Sequence, residues 1–278
     1  MTDKYFAEAK DFANKMIEFF HLKNHLDDAS LFEMKLELTW LYGRCQFFLD
    51  SHFINEVRKI NGNTQTRSYN CAVAAYSRLW EVIILNSIMT YKATNKRINL
   101  GCRREEGPDW KITLANGKEY YIEATTINFP KESSKIRQCL ENITAGKMVC
   151  HGSEIYLELQ DKITKSIEAK IKRDSAFMQE ASNKKTGYII ALSYGPLPFL
   201  MVKPPEEMSY FSELEKIIFS NSENNWISAI LLSRVEPCLL LENAKKIPWI
   251  CWKEKNNDFH IIHNPNARNI LTDNIFKH

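Results

Sequence analysis

A chain of 278 residues, 44% hydrophobic and 26% charged, has the make-up of a soluble globular protein and the length for one large domain with an extension. No apolar run approaches the ~20 residues of a membrane-spanning helix, and the amphipathic start Met1-Thr2-Asp3-Lys4 does not read as a signal peptide. A formal charge of +3 announces no bulk attraction to nucleic acid, and seven scattered cysteines without a Cys-x-x-Cys pair favour reduced thiols in a cytoplasmic protein over a disulfide frame or zinc knuckle.

Residues 3–60 read as helical. Phe6, Phe12, Met16, Phe19 and Phe20 form one apolar stripe, and Leu31, Met34, Leu38, Leu41, Tyr42, Leu49 and Phe53 a second. His21 and His25 stand four apart, a metal-ligand spacing, but no third ligand lies near and they read as ordinary residues. The polar, turn-rich stretch 60–65 marks a boundary. It separates a helical N-terminal region, 1–62, from a domain spanning 63–278. That N-terminal region suits a protein partner or self-association. A helix is expected over about 68–89. Within it Glu81 interrupts the large apolar residues Trp80, Val82, Ile83, Ile84 and Leu85. Such a carboxylate sits either on a narrow polar stripe or inside with a partner, because an unpaired buried charge is costly.

A short strand at 98–102 precedes the segment that carries the chemistry. Trp110, Ile112 and Leu114 alternate with Asp109, Lys111 and Thr113; Tyr120, Ile122 and Ala124 alternate with Glu119, Tyr121, Glu123 and Thr125. Period-two alternation predicts two strands with one buried face. A two-residue turn at Asn116-Gly117 would mix the faces. A three-residue loop, with Gly117 left-handed, pairs Leu114 with Lys118, Ile112 with Tyr120, Trp110 with Ile122 and Asp109 with Glu123. Directly opposed side chains have Cβ atoms about 5 Å apart. Two carboxylates that close repel unless a proton or cation lies between them. They suit a hard divalent cation, Mg²⁺ or Mn²⁺, which can activate water against a phosphodiester.

Residues 127–153 read as a loop-rich connection. A helix follows over about 158–179, with Ile163, Ile167 and Ile171 at four-residue spacing. A continuous apolar run at 187–194 predicts a fully buried strand. A helix over about 206–220 and strands at 226–234, 248–252 and 259–262 complete an α/β pattern.

The order helix, strand, strand, strand, helix, strand over 68–194, with Pro108-Asp109 entering the second strand and Glu123 in the third, resembles the PD-(D/E)xK nuclease superfamily over roughly half the chain. Arg78-Leu79-Trp80-Glu81, Ile122-Glu123-Ala124-Thr125-Thr126 and the later Asn264-Pro265-x-Ala267 are similar to an uncharacterised bacterial branch with a Glu-Ala-Thr-Thr strand. The resemblance implies a restriction-endonuclease-like mixed sheet flanked by helices, with an added helical N-terminal region. It implies a metal-dependent nuclease acting on nucleic acid, DNA first. Asp109, Glu123 and the Ala124 carbonyl would hold Mg²⁺, and Glu81 would support that ion or a second one.

The superfamily pattern also wants a lysine two residues after Glu123, where this chain has Thr125. Either another lysine fills the space or the site is slow or dead. Members of the superfamily can supply the lysine from the following helix; Lys170 is the first candidate and Lys162 the second. Lys111, on the carboxylate face of the hairpin, is the third. Lys162, Lys165 and Arg173 could meet phosphates, although such a cluster is most simply a solvated helix face paired in part with Glu158 and Glu168. Thr125 favours the alternative of a degenerate nuclease fold that binds nucleic acid or a protein without cleaving it.

Overall fold

The structure, a computed structural model, describes residues 3–19, 27–49, 53–55, 57, 69–94, 99–101, 108–127, 153–180, 186–194, 204–233, 260–272 and 275–276. The expected boundary at 60–65, most of the connection 127–153, the strand at 248–252, and His21 and His25 lie outside the described residues.

The N-terminal helices are α1 (Asp3–Phe19) and α2 (Asp28–Cys45), the latter followed by a 3-10 turn at Gln46–Phe48. Next come α3 (Tyr69–Thr94), β1 (Asn99–Gly101), β2 (Trp110–Thr113) and β3 (Glu119–Thr126). They are followed by α4 (Ser153–Glu180), β4 (Thr186–Ser193), α5 (Pro204–Phe219), a 3-10 turn at Ser222–Trp226, β5 (Ile227–Ser233) and β6 (His260–His263). The six strands form one sheet in sequence order. β1, β2 and β3 pair antiparallel, β3, β4 and β5 parallel, and β6 returns antiparallel to β5. The fold is therefore α/β, a mixed sheet flanked by helices. No helix among the described residues is long and apolar enough to cross a membrane.

Period-two alternation divides the sheet between two cores. Trp110, Ile112, Tyr120, Ile122, Ala124, Ile189, Ala191, Ala229 and Leu231 pack against α1, α2 and α3. Tyr121, Tyr188, Ile190, Leu192, Ile230 and Leu232 pack against α4 and α5. Trp80 donates its indole N–H to the Ala191 carbonyl at 2.9 Å, which fixes α3 to the middle of the sheet.

Two expectations are corrected. Alternation predicts one bare face, yet β3 is buried from Tyr120 to Thr126. The reason is its parallel pairing with β4. Parallel strands need a crossover, and α4 returns over the face that carries Glu123. The N-terminal helix is not continuous either. Asp27 caps a new helix by accepting the Ser30 N–H at 2.7 Å, and Phe6 is 45% exposed rather than part of the buried stripe.

The last described segment ties the sheet together. Tyr120 donates its hydroxyl to the Ile270 carbonyl at 2.9 Å, and Ser228 donates to the Asn269 carbonyl at 2.5 Å. Asn264 Nδ2 donates to the carbonyls of Asn224 and Ile227 at 3.1 and 2.8 Å. At the start of β4, a Cβ on Gly187 would collide with Ser228 Oγ and lie 2.9 Å from the Tyr120 ring, so the backbone needs glycine there.

Candidate functional site

The hairpin forms in the register that its alternation predicts. Leu114 N–H donates to the Lys118 carbonyl at 2.8 Å, Ile112 pairs with Tyr120 and Trp110 with Ile122. Gly117 closes the turn at φ 78°, the left-handed conformation that glycine adopts without strain. Hydrogen-bonded rungs recur every second pair, so the rung after Trp110–Ile122 falls on Pro108 and Ala124. Proline has no N–H to donate to the Ala124 carbonyl, so that rung cannot form in full, and the Ala124 N–H donates to Asp109 Oδ2 at 2.8 Å. The carboxylate of Asp109 thus ends the β2–β3 ladder with its side chain, beside the residue that follows Glu123. Asp109 and Glu123 are 2% and 4% exposed.

Glu123 points from β3 toward α4. Its Oε1 accepts from Lys170 Nζ at 2.6 Å and lies 2.9 Å from an Arg173 guanidinium nitrogen. Lys170 and Arg173 are three apart on α4, so one helical face delivers both cations to one oxygen. Arg173 is itself held from behind. Its Nε and second nitrogen donate to the two oxygens of Asp174 at 2.5 and 2.6 Å. The Tyr188 hydroxyl, buried at the start of β4, donates to Asp174 as well. The Asp174 hydrogen bonds hold Arg173 firmly charged. Burial, followed by the nearby Glu123 and Asp174 charges, pushes the Tyr188 phenol well above its ordinary value, so it stays a neutral donor.

The expected residues fall into two sets. Asp109, Glu123, the Ala124 backbone, Lys170 and Arg173 are brought together. Thr125 is buried on the Glu123 face of β3, its hydroxyl donating to the Thr126 carbonyl at 3.4 Å. Glu81 is buried and accepts from Arg78 of its own helix at 2.7 Å. Lys111 pairs with Glu119 at 2.7 Å and lies over the Tyr121 ring. Lys165 pairs with Asp161, on the exposed face of α4, rather than with Glu158 or Glu168. Lys162 is half-buried one turn before Ser166 on the same helix.

Asp174 and Tyr188 were not anticipated, although both leave a signal in the chain. Asp174 falls on the apolar row Ile163, Ile167, Ile171, Met178, three residues after Ile171 and four before Met178. A carboxylate on a buried stripe demands a partner. Tyr188 stands in a fully buried strand, where a hydroxyl must find an acceptor.

Glu123 and Asp174 face two cations, Lys170 and Arg173, while Asp109 takes the Ala124 N–H. Among the described residues no three His, Cys, Asp or Glu side chains converge on a common metal position. An ion here would rest on Asp109, Glu123, a main-chain carbonyl and water. That oxygen-only set, with one or two carboxylates, is what Mg²⁺ accepts, and the residues fit it. Compared with protein-family models, curated proteins and solved structures, the chain matches none.

Proposed function

We propose that the chain hydrolyses phosphodiester bonds of nucleic acid, DNA first, on a restriction-endonuclease-like core. Asp109, Glu123 and the Ala124 carbonyl would hold Mg²⁺ or Mn²⁺. The observation that carries this reading is the Lys170 ammonium 2.6 Å from Glu123. It brings a lysine from the neighbouring helix to a strand whose own lysine position is filled by Thr125. A bound divalent ion would supply the charge that lowers the pKa of water.

The chain's residues supply the rest. Lys170 keeps a positive charge beside Glu123, where it can donate to a phosphate oxygen as negative charge builds on phosphorus. Asp174 and Tyr188 hold Arg173 in one orientation, so its guanidinium is pre-set beside the same carboxylate. Lys162, two turns before Lys170 on the same flank of α4, extends the positive face along which a phosphate backbone would lie, and Lys165, paired with Asp161 on the exposed side, could meet phosphate only from the flank beyond.

Incubating plasmid and single-stranded DNA with Mg²⁺ or Mn²⁺ tests the reading. Wild type should cleave, and Asp109→Ala and Glu123→Ala should each lose about 100-fold or more in rate. Equal residual cleavage by all three proteins would assign it to contamination and end the enzyme reading.

A second reading follows from a specific observation. Glu123 Oε1 already carries two cations, and the strand offers Thr125 in place of lysine. A site satisfied in this way can persist as a scaffold that binds nucleic acid or a protein without cutting. Salt-dependent DNA binding by wild type, with no cleavage under either metal, would favour it.

A further inference from the structure

α2 shows two unlike faces. Met34, Leu38, Leu41, Tyr42 and Cys45 turn inward and are buried. On the opposite side Phe32, Leu36 and Trp40 are 68%, 47% and 60% exposed. They stand four residues apart, and side chains at that spacing line one helix face. The same row continues to Asp28 at the N-terminal end and Arg44 at the C-terminal end, both exposed. The row is symmetric about Leu36. An aromatic residue lies four positions to each side, and a charge eight positions to each side, with opposite signs. Phe47, 70% exposed and 5.9 Å from the Tyr5 ring, prolongs the apolar surface past Arg44.

We propose that this row is a dimer interface, and that a second copy of the chain packs on it antiparallel about a two-fold axis at Leu36. That axis sets Phe32 against the partner's Trp40 and Asp28 against the partner's Arg44. An interface with two-fold symmetry must be complementary to itself, and few helix faces meet that requirement. The order of residues along this row does so, with aromatic opposite aromatic and acid opposite base. A parallel arrangement would oppose Asp28 to the partner's Asp28 and Arg44 to the partner's Arg44. A membrane-surface helix would carry cations along its polar flank, whereas here exposed Glu33 borders the row and Asp28 ends it. Exposed aromatic anchors at the centre with charges at the rim match the anatomy of a protein–protein contact. The inference is independent of the nuclease reading.

Sedimentation equilibrium on the full chain tests it. The expected mass is twice the 32.5 kDa of one chain. Trp40→Glu, which places a charge on an already exposed site, should give a monomer with unchanged circular dichroism. Arg44→Asp should weaken association about tenfold by setting two acids together, and Asp28→Arg combined with Arg44→Asp should regain most of that loss. A wild-type protein that stays monomeric to about 100 μM would overturn the proposal. So would a double variant no tighter than Arg44→Asp, or a Trp40→Glu protein that still dimerises. A monomer that sediments with anionic lipid vesicles would make the row a lipid-binding face instead, and would overturn it too.

Discussion

On α3, Glu81 finds Arg78 three residues earlier on its own helix, at 2.7 Å. On α4, Lys170 and Arg173 reach off the helix to Glu123 of β3, at 2.6 and 2.9 Å. Both carboxylates are buried, but they are neutralised in different ways. The α3 pair forms within one turn of a single helix and offers little net stability once desolvation is counted. The α4 cluster joins helix to strand, and it leaves two cations, one of them half-exposed, where a substrate could reach them. A buried carboxylate paired within its own turn is therefore weak evidence for chemistry. One that gathers cations from another element is stronger.

The contrast can be broken at Glu81, where the largest effect is expected. Glu81→Ala leaves Arg78 charged and mostly buried, and should cost about 3–5 kcal/mol in urea unfolding. Arg78→Leu combined with Glu81→Leu should recover most of that loss, because an apolar pair can replace a buried ion pair. A double variant as unstable as the single one would mean that the pair itself stabilises α3. Cleavage lost in a stably folded Glu81→Gln protein would give Glu81 the same role as Glu123.

Lys170 comes next. Lys170→Ala should lower kcat about 100-fold while KM changes little. Adding Thr125→Lys should restore part of that rate, because residues 123 and 125 share one face of β3. Failure of every lysine placement on that face to restore any rate would mean that no ammonium is needed there.

A smaller effect is expected behind the cluster. Tyr188→Phe keeps the ring's edge-on packing against Trp226 but removes the donor to Asp174, and should cost about 1–2 kcal/mol. It should also raise KM more than it lowers kcat, since Arg173 loses its backing. An unchanged melting temperature would show that Asp174 is held well enough without the hydroxyl.

The smallest effect is a pH dependence. His260 stacks on Phe211 at 4.4 Å, and burial lowers its pKa. Its folded value lies below its unfolded one, so the unfolded chain binds more protons. His260 therefore does not affect stability above the ordinary histidine value near ~6.5, and destabilises the fold as pH falls through and below it. Melting temperature should drop from neutral pH toward acid, and His260→Gln should flatten that slope.

The parts of the site that the chain reveals most clearly are local. The hairpin register follows from the alternation of Trp110, Ile112, Tyr120 and Ile122 and from a glycine at the one left-handed position. Lys170 followed from the resemblance, which allows a lysine from the next helix; the row 163, 167 and 171 shows which side of α4 meets the sheet and puts Lys162 and Lys170 alike on its flank. What stayed hidden depends on distant pairing. Tyr121, Glu123 and Thr125 read as an exposed polar face, but the crossover to β4 brings α4 over them. Nor does local pattern say that Glu81 would be satisfied by Arg78 within its own helix. The α/β class with a mixed flanked sheet was readable in the element order.

Contacts between the hairpin and residues near 270 span about half the polymer, Tyr120 to Ile270 and Glu119 to Asn269 among them. Closing a loop that long is entropically unfavourable until other contacts have narrowed the search. During synthesis the hairpin therefore lacks these fastenings until the stretch near residue 270 has left the ribosome. A chain released a few residues short of Asn269 would hold every proposed catalytic group and still lack the strap that keeps the base of their strand in place.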